Sequence, residues 1–178
     1  MKSAKQPRAE PQTARQARPA SVAAEQNQQV IKRFTWEIAS ISVYLQELRQ
    51  FWAEAIGISG PQWMILMALA DLDEDGVPVN VVSKMLHVDP SFVTTQSKLL
   101  EKNGFLHRKS SSTDARVVQM SLTEKTRNHL KKLASQQQAI NDFIFEEFDH
   151  RELAEFTSKL AALKNRLEKA RLKVTIDF

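Results

Sequence analysis

Between Val30 and Ile56 the apolar residues recur at Ile31, Phe34, Ile38, Ile41, Leu45, Leu48 and Trp52. Steps of three and four predict one stripe along a long helix, since 3.6 residues per turn bring these positions to one side. Trp36, Ser40, Tyr44 and Phe51 fall on a second face. A helix with two apolar faces is expected to lie between two bodies. The next segment, SGPQWMILMALADLDEDG, has Ser59 and Gln62 at capping-box spacing and Pro61 where a first turn accepts it. Trp63 to Ala70 is apolar all round, so this helix is expected to be central. DLDEDG then predicts a turn, and residues 77–79 a short strand.

Two short helices follow in the pattern. Asn80 is read as the cap of one over residues 81–86. His87 and Val88 form a tight link, and Asp89 caps the second, over residues 90–103, with Pro90 at its first position. Gly104 is a suitable stop. Two helices joined so closely predict a helix-turn-helix. On the second helix Val93, Ser97 and Leu100 share a stripe expected to face inward. Ser91, Thr94, Thr95, Lys98 and Lys102 share the opposite one, which carries no acid. A face that is merely solvated usually mixes signs. Hydroxyls can hydrogen-bond phosphates or base edges, and ammonium groups neutralise phosphates.

FLHRK and VVQMSL flank the turn-forming tip SSSTDA, which predicts a β-hairpin directly after the helix-turn-helix: a wing. Two more helices close the chain, with stripes at Leu130, Leu133, Gln137, Ile140 and Ile144, and at Leu153, Phe156, Leu160, Leu163 and Leu167. Thr123 is read as the cap of the first. The expected fold class is mainly α with a small β-wing. Stripes from opposite ends of the chain need a common partner. The simplest is a helical body shared between two chains; the alternative is a bundle within one.

Charge sharpens this division. The 178 residues carry a net charge of +4, but residues 30–79 hold −4 and residues 80–118 hold +3. The basic stretch contains the helix-turn-helix and the wing. Residues 1–29 are basic at +3 and nearly free of large apolar groups, so they are expected to be a disordered tail. That tail is either solvated or an arm touching nucleic acid. The absence of cysteine removes disulfide scaffolds, thiolate zinc sites and thiol redox sensing. No apolar run is long enough for a membrane span and no signal core opens the chain, so a cytoplasmic location is expected, without membrane contact. His87, His107, His129 and His150 are scattered, and no catalytic or phosphate-loop motif appears, which argues against an enzyme. No cofactor or metal is expected.

The stretch VVSKMLHVDPSFVTTQSKLLEKNGFLHRKSSSTDARVVQMSLTEK resembles the MarR/SlyA family of winged-helix regulators. The likeness rests on Val82 and Leu86, Asp89, Ser91/Val93/Thr94, Leu100/Glu101/Gly104, Asp114/Arg116 and the run from Ser121 to Lys125. It implies a winged helix-turn-helix DNA-binding domain over residues 59–122. Residues 30–58 and 123–178 would form the helical dimerisation region. The implied function is a dimeric, sequence-specific transcriptional regulator on palindromic double-stranded DNA, a repressor released by an effector. The helix over residues 90–103 would enter the major groove, and Arg116 the flanking minor groove. The DNA-binding set is then Asn80, Ser91, Thr94, Thr95, Lys98, Lys102, Lys109, Ser111, Ser112 and Arg116. Asp114 would support the wing by orienting Arg116 or capping the turn; the alternative for Arg116 is a surface ion pair with Asp114. Two departures from the family pattern matter. The usual turn glycine is His87, and a frequent arginine is Thr95.

Family members often sense a small molecule between dimer body and DNA-binding lobe. The candidates here are Arg33, Trp36, Ser40 and Tyr44 on the first long helix, with Trp63 and Met67 on the next. The resemblance brings in phenolic acids and acyl-CoA thioesters as effector classes; ordinary packing is the competing role of these residues. A ligand-independent architectural or nonspecific nucleic-acid-binding protein is the alternative function. A protein-interaction module would use the stripes and leave the wing unexplained.

Overall fold

A computed structural model describes residues 19–72 and 76–177. Six helices and three short strands follow in the order α1 (Pro19–Glu54), α2 (Gly60–Leu72), β1 (Val77–Pro78), α3 (Val79–Leu86), α4 (Pro90–Lys102), β2 (Leu106–Ser110), β3 (Val118–Leu122), α5 (Glu124–Phe145) and α6 (His150–Asp177). The mainly helical fold with a small wing agrees with the sequence pattern. Two compact units divide within α2, the first ending at Met64 and the second beginning at Ile65. No described helix is long and apolar enough to cross a membrane.

In the first unit, α1 starts well before the apolar stripe does. Residues 19–29, expected to be disordered, are helical, while residues 1–18 lie outside the described residues. The reason is local. Pro19 is tolerated in a first turn, and the Ala, Glu and Gln that follow are strong helix formers. Extending a nucleated helix needs no burial. At the far end of α1 Trp52 and Ala53 are buried. The capping box forms as expected: the Ser59 N–H donates to Gln62 Oε1 at 3.1 Å and the Gln62 N–H to Ser59 Oγ at 3.4 Å.

The second unit contains the winged lobe. Its sheet has the order β1-β3-β2, with Val77 opposite Met120 and, across the wing, Leu106 opposite Leu122 and Ser110 opposite Val118. Val77, Val82, Val93, Leu100, Leu106 and Met120 are almost fully buried and make its core. Two boundaries differ from expectation. Val79 is the first residue of α3 rather than the end of a strand, and Asn80 is inside the first turn rather than its cap. Pairing of β1 with β3 holds Pro78 extended (φ −63°, ψ 144°), so the turn into the helix occurs there, without a side-chain cap. An edge strand is where a proline, lacking an N–H, costs no ladder bond. The centre of DLDEDG, residues 73–75, lies outside the described residues.

Candidate nucleic-acid interface

The turn between α3 and α4 depends on His87, which takes φ +54° and ψ +39°. A β-branched residue would be strained there, whereas glycine or a residue such as histidine is accommodated. The Val88 N–H then reaches the Ser83 carbonyl at 3.1 Å, closing α3. Asp89 caps α4: its carboxylate accepts the Ser91 N–H at 2.7 Å, and Pro90 occupies the first helical position. The hydroxyl and backbone N–H of Ser91 hold the Asp89 carboxyl below its ordinary range. At the other end Gly104 takes φ +75°, letting its N–H bond the Glu101 carbonyl and the Phe105 N–H the Leu100 carbonyl. The helix stops at Lys102, with Asn103 as its C-cap.

Val93, Ser97 and Leu100 are buried, as the periodicity requires. Ser97 can be buried cheaply because its hydroxyl donates to the Thr94 carbonyl at 3.1 Å. The opposite face is open. Ser91, Thr95, Lys98 and Lys102 are exposed and Thr94 is half-buried. Two of the hydroxyls are already engaged: Thr95 donates to the Ser91 carbonyl at 3.0 Å, and Ser91 is bonded to Asp89. Both retain acceptor capacity.

The wing is a two-stranded ribbon with a structured tip. The Asp114 carboxylate accepts the Arg116 N–H at 2.9 Å, and the Asp114 carbonyl accepts the Val117 N–H at 2.9 Å. Asp114 therefore caps the turn. No ion pair joins it to the Arg116 guanidinium among the described residues. Ser111 is half-buried and spends its hydroxyl on Thr113 at 2.9 Å, while Lys109, Ser112 and Arg116 are exposed. A cavity of about 330 Å³ connects the two elements: Asn80, Pro90 and Thr94 line it from the helix-turn-helix, Arg108 and Arg116 from the wing.

Arg108 escaped the sequence reading. Its side chain is 11% exposed, and Nε is buried with no hydrogen-bond partner. Glu101 accepts the Arg108 N–H at 2.9 Å and lies 4.0 Å from its NH1, tying the end of α4 to the first wing strand. The signal was present in LHRKS: strand alternation sends Arg108 to the same side as Leu106, an odd place for a cation with nothing to meet. A further joint holds α5. Thr123 caps that helix by accepting the Thr126 N–H at 3.2 Å, and the buried Thr126 hydroxyl donates to the Phe105 carbonyl at 2.7 Å.

The effector candidates differ in exposure. Trp36 and Tyr44 are exposed on α1, and so is Ser40; Arg33 is paired with Glu37 at 3.7 Å. Trp63 is only 3% exposed, so as placed it offers a ligand almost no surface; Met67 is half-buried. Hydropathy alone marks both as core, since their helix is apolar on every side.

Comparison with known proteins adds three findings. The family model described as MarR family matches residues 58–118. The HTH-type transcriptional regulator SarZ of Staphylococcus haemolyticus (strain JCSC1435) is 31% identical over 87 residues, 49% of this chain and 55% of that protein. The match thus spans about half of the relative's length. Among solved structures, a MarR transcriptional regulator from Methanosarcina mazei Go1 has a TM-score of 0.64 at 24% identity, covering 78% of this chain and 99% of that one. The S. aureus MepR-DNA complex has a TM-score of 0.66 at 17% identity, covering 75% and 96%. At such identities the structural likeness establishes the fold. Family match, aligned relative and shared fold agree: residues 58–118 match the MarR family, and the chain shares the fold of solved MarR-family regulators.

Proposed function

We propose that this chain is a sequence-specific transcriptional regulator that binds palindromic duplex DNA as a homodimer, and that it is a repressor released by a small-molecule effector. One observation carries the DNA-binding part. Thr94 of α4 and Arg116 of the wing line the same cavity, beside an open, acid-free helix face, so one double helix can touch both. In this reading Thr94, Thr95 and Lys98 meet the major groove, with Ser91, Lys102 and Asn80 at its phosphate walls. Arg116 enters the adjacent minor groove, where the negative potential of a narrow A·T-rich segment attracts a guanidinium. Lys109, Ser111 and Ser112 approach the backbone. The relatives compared above are named as transcriptional regulators, and MepR is named in complex with DNA.

Dimerisation is supported by what a single chain leaves uncovered. Trp36, Tyr44, Phe51 and Phe143 are each more than 60% exposed. Apolar area on that scale in a soluble regulator is covered by a second copy. We assign this role to α1 and to the helices after Thr123. A ligand between them and the DNA-binding lobe, a phenolic acid or an acyl-CoA thioester, would release the DNA; the cytoplasm is the compartment this implies.

Selection of bound duplexes from a random pool tests the reading. A palindrome with half-sites about 10 bp apart is expected. Arg116→Ala should weaken binding and flatten its salt dependence by about 0.9 per lost phosphate-equivalent contact. Equal competition by random duplex would instead support the architectural, nonspecific alternative.

A further inference from the structure

The two halves of α6 differ. From His150 to Leu163 two cations, Arg151 and Lys159, stand against two acids, Glu152 and Glu155. From Lys164 to Lys173 there are five cations and one acid, Glu168. The apolar stripe ends at Leu167, where this basic segment begins. With 28 residues against the 22 of α5, α6 runs roughly 42 Å to the other's roughly 33 Å, longer than a hairpin partner needs.

The basic half meets the helix-turn-helix across a groove of about 880 Å³. Lys84, His87 and Asp89 line one wall, and Lys164, Glu168 and Arg171 the other. Asn80 and Pro90 line this groove and also the cavity that holds Thr94 and Arg116, so the two openings flank the same pair of residues. Among the described residues no ion pair occupies Lys84, Lys164 or Arg171. Asp89 and Glu168 offset two of these three cations; the larger excess lies along α6 itself, with five cations against one acid from Lys164 to Lys173. A solvated helix end of this length ordinarily alternates signs.

We propose that the distal half of α6, from Lys164 to Lys173, is a second DNA-contacting element, forming with Lys84 a cationic groove for the sugar-phosphate backbone of the duplex that α4 reads. This rests on the DNA-binding reading above and extends its footprint from the wing, past the start of α4, to the C-terminal helix. Ammonium and guanidinium groups on phosphate add affinity and salt dependence but carry no sequence information.

The test uses the full chain with Lys84→Gln, Lys164→Gln and Arg171→Gln combined, beside wild type and Arg116→Ala. Binding to the selected palindrome and to random duplex is titrated over several salt concentrations. Three lost contacts in each protomer, six in the dimer, should lower the salt slope by about 5, with the affinity falling equally on both duplexes. Lys164→Gln alone, the mildest change, removes two contacts per dimer and should lower the slope by about 1.8 if the combined variant does not fold. A wild-type slope in these variants, with Arg116→Ala still defective, overturns the inference and leaves the DNA-binding reading intact. Wild type binding neither duplex overturns that reading instead. Arg166→Gln, Lys169→Gln and Lys173→Gln, on the far side of the helix, should have a smaller effect; an equal one would show that overall charge acts rather than the groove, and the proposal would fall.

Discussion

The winged lobe and the long helices use similar apolar residues in opposite ways. In the lobe, Val82, Val93, Leu100 and Met120 are fully buried, at 0% exposure. On the long helices, Trp36 is 67% exposed, Tyr44 65% and Phe143 70%. The lobe also satisfies its helix ends and buried hydroxyls from within, Arg108 Nε being an exception: Asp89, Thr123 and Gly104 satisfy helix ends, and Ser83 and Ser97 bond their own helices. The long helices carry regular stripes that a single chain leaves open. Periodicity states that a face will be buried; it does not state by which molecule.

The largest effect is expected in the lobe. Leu100→Ala leaves a cavity among side chains with no freedom to collapse, and should cost about 2–5 kcal/mol in denaturant unfolding. A cost near zero would mean the lobe is packed no better than the helices. Next comes the exposed stripe. Ile41→Asp with Leu45→Asp should shift sedimentation toward monomer and make DNA binding depend steeply on protein concentration, at least tenfold weaker in dimer affinity, since each buried apolar side chain contributes roughly 1.5–3 kcal/mol. If the variant sediments as wild type, the stripe is not the shared surface and the contrast fails on that side. The smallest effect belongs to Asp89→Ala. The Asp89 carboxyl is held below its ordinary value by Ser91, so its stabilising contribution is present above the unfolded pKa and is lost as pH falls through the lower folded value. Its removal should lower the melting temperature slightly at neutral pH. The difference from wild type should vanish toward strongly acid pH; a gap that persists there would assign the effect to packing rather than to the cap.

Much of the lobe was legible because its signals are local. Asp89-Pro90, Gly104 and Thr123 announce helix ends through chemistry confined to one turn, and the Val93–Ser97–Leu100 stripe depends only on helix pitch. His87 is the same kind of signal: a turn that needs a left-handed residue, met by one that tolerates it. The misplaced boundary at Asn80 has a different origin. The start of α3 is set by pairing of Val77 and Pro78 with Met120 and Gln119, some 40 residues away in the chain, and no local cap could announce it. Arg108 was missed because its neighbours FLHRK read as one basic strand, when alternation separates an outward Lys109 from an inward Arg108.

By itself the sequence determined most of the helical segments (though not the first turns of α1), where the hydroxyl and ammonium face of α4 lies, and that an arginine sits near the tip of a wing. These follow from pitch, capping and turn chemistry, which act over a few residues. Only the tertiary structure decided that Thr94 and Arg116 share one cavity, that Arg108 is mostly buried beside Glu101 and lines that cavity, and that the basic end of α6 stands across a groove from Lys84. Those are distances between segments far apart in the chain, and such distances are fixed by how buried surfaces fit together.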